Sequence, residues 1–209
     1  MRFCSWCCLG FGLLGLLVGC RSGEADFLAS GAFEATEVVV SAEASGRILD
    51  LALEEGQTLV AGQVLGHVDC QPLPANNVDL LLKHCTVVAP QAGQVLVKYA
   101  QVGEFATPGK PLFKLADTRH LILRAYVSAD QLSALRVGQT VGVRADFGAE
   151  GSRAYEGRLA WISSKSEFTP KTIQTRDERA NLVYAVKVAV ENDGLLKLGM
   201  YGQLAPVGP

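Results

Sequence analysis

Residues 46–69 read GRILDLALEEGQTLVAGQVLGHVD, and residues 93–117 read GQVLVKYAQVGEFATPGKPLFKLAD. Gly46, Leu49, Gly56, Gly62 and Leu65 of the first stretch recur as Gly93, Leu96, Gly103, Gly109 and Leu112 of the second, each 47 positions later and without a gap. The match runs backward, with Val39-Val40-Ser41-Ala42 against Thr86-Val87-Val88-Ala89. One supersecondary unit is therefore present twice, and such a unit cannot bury its apolar face alone. Two copies packed face to face predict a small β-sandwich.

Each unit reads as short strands broken by turns. Val38, Val40 and Ala42 alternate, and Ile48, Leu49 and Leu51 do so with one slip. Gly46 and Gly93 are read as turn residues that open the units. Glu55-Gly56-Gln57 and Val102-Gly103-Glu104 mark a second turn, and Val60-Ala61-Gly62-Gln63 and Thr107-Pro108-Gly109-Lys110 a third.

The order Gly-x-Ile/Val-Leu, Gly, Gly, Leu resembles the half-motif of lipoyl and biotinyl domains. The segment from Cys85 to Val95, CTVVAPQAGQV, resembles the second half-motif of the HlyD-like membrane fusion proteins, the periplasmic adaptors. The resemblance runs from about Phe33 to Leu204. It implies a mainly β fold: a lipoyl/biotinyl-like sandwich over 33–117, then a small antiparallel β-barrel with one short helix over 118–209. In that family an α-helical hairpin stands between the two halves.

The first residues suggest export. Arg2 precedes an apolar run, Leu9 to Gly19, too short for a membrane span of about 20 residues. The run ends in Leu17-Val18-Gly19-Cys20, which resembles a bacterial lipobox and implies a signal peptide over 1–19, lipid on Cys20 and an anchored linker over 20–32. Arg21 is not the Asp that resembles an inner-membrane retention signal, so either membrane is open, the inner one being preferred. Without residues 1–19 the chain holds 18 basic against 21 acidic residues, a balance that gives no electrostatic reason to expect nucleic acid.

Cys70 closes the first half-motif and Cys85 opens the second. With lipid on Cys20 and an oxidising compartment, these two are expected to form a disulfide. A competing reading joins them with His67 and His84 as ligands for zinc or copper. On a strand, His67 and Cys70 point to opposite faces, which weighs against it. The insert Gln71–His84 has 14 residues, where the family has a long hairpin. Pro72 and Pro74 oppose a helix at its start, while Val78 to Lys83 has room for one short turn. The resemblance therefore implies an adaptor without the arm that docks on an outer-membrane channel.

From Leu121 the alternation lengthens. Ser128-Ala129-Asp130-Gln131 reads as a capped helix start, with Leu132 and Leu135 apolar and Gly138 at the exit. Strands are expected around Val141–Ala145, Tyr155–Ile162, Leu182–Val190 and Met200–Leu204. The polar stretch Ser163 to Asn181 is long for a connection. Its Glu167-Phe168-Thr169-Pro170-Lys171 and Gln174-Thr175-Arg176-Asp177-Glu178-Arg179 resemble a segment of adaptors associated with ABC-type exporters. Phe168, Thr169, Pro170, Lys171, Arg176, Glu178 and Arg179 are thus candidate partner-binding residues. The alternative is a solvated loop with Phe168 tucked onto the barrel.

Three functions follow for weighing. The first is a non-catalytic adaptor that binds an inner-membrane transporter, alone, as a homo-oligomer or beside a full-length adaptor. The second is a lipoyl or biotinyl carrier, for which Lys83 is flanked by Leu82 and His84 rather than the usual Met or Ala. The third is an enzyme, for which the sequence offers no Gly-rich phosphate loop, Ser nucleophile elbow or spaced carboxylate pair with local support; no cofactor is expected.

Overall fold

The computed structural model describes residues 27–70, 84–168 and 182–205. Thirteen strands, one α-helical turn and a 3-10 turn at Gly148–Glu150 follow in order among them. The first half holds β1 (Ala29–Ser41), β2 (Gly46–Leu51), β3 (Thr58–Leu59), β4 (Val64–Cys70), β5 (Thr86–Val88), β6 (Gly93–Lys98) and β7 (Phe105–Ala106). The second holds β8 (Pro111–Ser128), α1 (Ala129–Leu132), β9 (Thr140–Asp146), β10 (Ser152–Ile162), β11 (Glu167–Phe168), β12 (Leu182–Glu191) and β13 (Tyr201–Leu204).

The two repeats do not merely face each other; they exchange strands. β3 of the first unit pairs with β6 of the second, while β7 of the second pairs with β2 of the first. The reciprocity reaches single bonds. Gly56 N donates to Val95 O and Gly103 N to Ile48 O, both at 2.8 Å, and each pair maps onto the other with the 47-residue offset. Gly62 N to Ala89 O and Gly109 N to Ala42 O repeat the relation at 2.8 and 2.9 Å. Gly56 and Gly103 hold φ of 85° and 90°, the left-handed region that a Cβ penalises.

Gly46 and Gly93 correct the turn reading. Both begin strands, and a Cβ on Gly46 would collide with the carbonyl of Asp69, one on Gly93 with the carbonyl of Ala116. Here glycine is required by backbone approach rather than by turning. The slip at Leu49 is a bulge: the β2–β4 register shifts between Ile48 and Asp50, and the β6–β8 register shifts between Val95 and Val97, around Leu96.

Inside the interlocked units lie Ile48, Leu51, Leu53, Leu59, Leu65, Val95, Leu112, Phe113 and Leu115, an apolar core inaccessible to water. The second core fills a closed six-stranded barrel, β12-β10-β9-β13-β1-β8, sealed by the β8–β12 pairing. Phe33, Leu121, Leu123, Val141, Val143, Leu159, Val188 and Leu196 occupy it. Gly202 lets Phe33 sit inside, since a Cβ there would press on both Phe33 and Leu123.

Two readings of the chain's divisions change. Ala29–Ala32, placed by sequence in a linker, pair with Leu204 to Tyr201 as barrel strand. Phe33 belongs to the barrel core rather than to the sandwich. Both cores share β1 and β8, which pair from Ser30↔Tyr126 to Ser41↔Pro111 with an irregularity between Ala35 and Glu37. The change of pattern at Leu121 marks this irregularity, not a new strand.

The helix start is as read: Ser128 Oγ accepts from Gln131 N, and the Gln131 side chain accepts from Ser128 N. Only one turn follows, and Leu135 reaches the core from beyond it.

Candidate functional site

β4 and β5 are antiparallel neighbours, with His67 opposite Thr86, so the end of one and the start of the other come together. Cys70 and Cys85 are joined there by a disulfide, their Cα atoms 5.8 Å apart. The bond closes the base of the insert, of which residues 71–83, including Leu80, Leu81, Leu82 and Lys83, lie outside the described residues.

The two histidines are engaged elsewhere. His67 Nδ1 lies 2.9 Å from Asp50 Oδ2, directly across β2 and β4. His84 Nδ1 bonds Glu43 Oε2. Thiol meets thiol and imidazole meets carboxylate, and among the described residues no group of three or more His, Cys, Asp or Glu converges.

The other candidate place lies at the far end of β8. That strand begins at Pro111 opposite Ser41, beside the insert base, and ends at Ser128 opposite Val183 in the barrel. Phe168 sits next to this second end, in β11, directly opposite Leu182. It is 81% exposed and Leu182 54%. The tucked alternative for Phe168 is therefore wrong: β11 lies on β12 through its backbone, and the Phe168 ring points away. The start of the long polar connection is ordered from within, since Ser163 is buried, donates from Oγ to Lys165 O and accepts from Lys165 N. Thr169, Pro170, Lys171, Arg176, Glu178 and Arg179 fall outside the described residues, as does Cys20.

Sequence reasoning missed Leu182 and the charges beside it. Leu182 heads a strand whose next residue, Val183, faces the core, and that alternation was the available signal. Arg124 Nη2 lies 3.5 Å from Glu167 Oε2 across the same outer face. Nothing local in sequence relates two residues 43 positions apart.

Where the cores meet, charge fastens β1 to β8. Lys114 Nζ lies 2.9 Å from Glu37 Oε2, and this bond, Glu37's charge and the nearby Tyr99 raise the ammonium pKa above its ordinary value. Asp117 caps the corner before Leu121. Partial burial opposes its charge, but the His120 ring and the N–H groups of Arg119 and His120 all bond it, holding its pKa below the ordinary carboxylate value. His120 also lines an open hollow on the barrel together with Thr140, Tyr155, Glu156 and Arg158. The two ends of β8 thus present the disulfide-closed insert base and the exposed Phe168–Leu182 rim.

Comparison with known proteins agrees with this layout. Residues 36–118 match the family described as the RND membrane fusion protein (MFP) barrel-sandwich hybrid domain. A UPF0194 membrane protein of Citrobacter koseri is 32% identical over 123 residues, 58% of this chain and 37% of the relative. A UPF0194 membrane protein YbhG of Salmonella arizonae is also 32% identical, over 120 residues, covering 57% and 36%. The chain thus spans little more than a third of the length of the curated relatives it matches.

Among solved structures, the membrane fusion protein Spr0693 of Streptococcus pneumoniae superposes with a TM-score of 0.60 at 16% identity, over 85% of this chain and 99% of that one. MacA of Actinobacillus actinomycetemcomitans gives 0.59 at 15%, over 84% and 76%, and ZneB of Cupriavidus metallidurans 0.56 at 18%, over 85% and 70%. At such identities the likeness is one of fold.

Proposed function

We propose that this chain, a membrane fusion protein in its fold and in the family of its residues 36–118, works as a non-catalytic periplasmic adaptor of an efflux or secretion complex. Its partner is an inner-membrane transporter of the ABC type. The observation that carries the reading is the strand exchange between the two half-motifs, continued into a closed barrel through β1 and β8.

Lipid on Cys20 would tether it. Eight residues separate Cys20 from Ala29, a reach of about 30 Å at most. Ala29 pairs with Leu204 at the barrel end where Ser128 and Phe168 also lie, so this end would face the membrane and a transporter within it. The sandwich end carries only a 14-residue insert, closed at its base by Cys70–Cys85. That favours an accessory role, in which a full-length adaptor or none at all reaches toward an outer-membrane channel.

A photo-crosslinking amino acid at Phe168 tests the reading in living cells. Capture of a transporter subunit of the inner membrane is the expected result. Capture confined to outer-membrane proteins, with none of that class, would overturn it. Labelling with radioactive palmitate, present in the native chain and absent in Cys20→Ser, tests the tether separately.

A further inference from the structure

The outer face of the barrel carries a row of directly opposed residues. Ala32 faces Arg124 across β1 and β8, Arg124 faces Lys187 across β8 and β12, and Lys187 faces Trp161 across β12 and β10. Two cations thus stand directly across a strand pair, an arrangement that repels. Both are held over rings: Arg124 lies 5.8 Å from the centre of Tyr126, and Lys187 Nζ lies 5.4 Å from that of Trp161.

Among the described residues, one carboxylate answers them. Glu167 approaches Arg124 at 3.5 Å, long for a charged hydrogen bond. The Arg124 Nε is shut off from water and donates to nothing, and Lys187 has no carboxylate within ion-pair distance among the described residues. Trp161 is 42% exposed, and Phe168 and Leu182 extend the surface on the β11 side. Arg, Trp and Tyr together are the composition of surfaces where a few side chains carry most of the binding.

We infer that the Arg124–Lys187 pair, flanked by Tyr126 and Trp161, is a docking site for an acidic side chain of a protein partner. An Asp or Glu carboxylate between the two cations would replace their repulsion with attraction, and the rings would exclude water around it. The site stands on the barrel's flank, several residues along β8 from its terminal Ser128, which suits a protein alongside rather than a lipid surface at the end. It deepens the adaptor reading by giving the partner's chemistry. The test below is decided by direct binding, whether or not that reading stands.

The probe is an acetylated, amidated hexapeptide alternating Glu and Leu, compared with its Gln counterpart and added to the full chain carrying Trp6→Phe. That change makes Trp161 the sole tryptophan. Its fluorescence and the Arg124 Nε–H resonance read the site. The Glu peptide is expected to shift both signals saturably, and the Gln peptide neither. Lys187→Gln should weaken binding roughly fivefold, the weight of one half-exposed charge pair. Glu167→Gln, which removes the competing carboxylate, should tighten it.

Equal response to both peptides would overturn the inference, as would no response to the Glu peptide. So would unchanged affinity in Lys187→Gln and Glu167→Gln, or a response to phosphatidylglycerol vesicles in place of the peptide.

Discussion

Gly46 lies so close to Asp69 that its missing side chain is part of the strand pairing, and 47 residues later Gly93 stands in the same relation to Ala116. The repeat is thus conserved within the molecule at the level of backbone contact. A methyl group at Gly46 has no flexible neighbour to displace, because the obstacle is a carbonyl.

Two glycine substitutions should therefore fail for different reasons. Around Gly103 there is open space, and only its φ of 90° opposes a Cβ. Gly103→Ala should cost about 1 kcal/mol. At Gly46 the obstacle is steric, and Gly46→Ala should cost roughly 3 kcal/mol or more, in the class of overpacked interiors. Urea unfolding of the full chain distinguishes them by midpoint.

Opening the Cys70–Cys85 bond should destabilise the sandwich. The loop it closes spans 15 positions, for which chain-entropy reasoning gives about 3 kcal/mol. Cys70→Ser with Cys85→Ser should unfold at lower denaturant, and the unmodified chain in dithiothreitol should behave like the double variant. A reductant-insensitive midpoint would contradict the prediction.

Asp117 gives a pH dependence with a definite sign. Its folded pKa is lower than the ordinary 3.8, so the unfolded chain takes up the proton first as pH falls. Its contribution is fully present above about pH 5 and lost as pH drops through 3.8 to the lower folded value. Asp117→Asn should flatten that acid limb, and His120→Ala should flatten it partly. Denaturant midpoints taken between neutral and acid pH measure both.

Phe168→Ala combined with Arg176→Ala should weaken transporter association while changing stability by no more than about 0.5 kcal/mol, as for exposed positions. Phe168 meets that condition by its exposure. Co-purification with the transporter and a thermal melt, run side by side, decide the point. Intact assembly would remove Phe168 from the interface.

The repeat made the sandwich legible because its turn glycines, Gly56, Gly62, Gly103 and Gly109, sit where only local geometry matters. Ser128 and Gln131 were readable for the same reason, their capping bonds spanning three positions. What escaped was long-range. That β1 belongs to two cores cannot be seen in Ala29–Ser41, whose partners are 70 or more residues away. Cys70 and Cys85 became a pair only once the two half-motifs were set together. Phe168 could be singled out as an apolar residue in a polar stretch, but its outward direction is set by β12. Arg124, Lys187 and Trp161 come together only through sheet register, which no short window of sequence contains.

β8 runs as one strand from the insert base to the Phe168 rim, yet residues 117–120 have no partner on β1, whose pairing jumps from Ala35↔Leu121 to Glu37↔Ala116. Both strands still cross that junction, so the halves are yoked by two rails of backbone rather than by one loop. A push on one extremity travels to the other along those rails, and any flexing gathers at the corner that Asp117 holds.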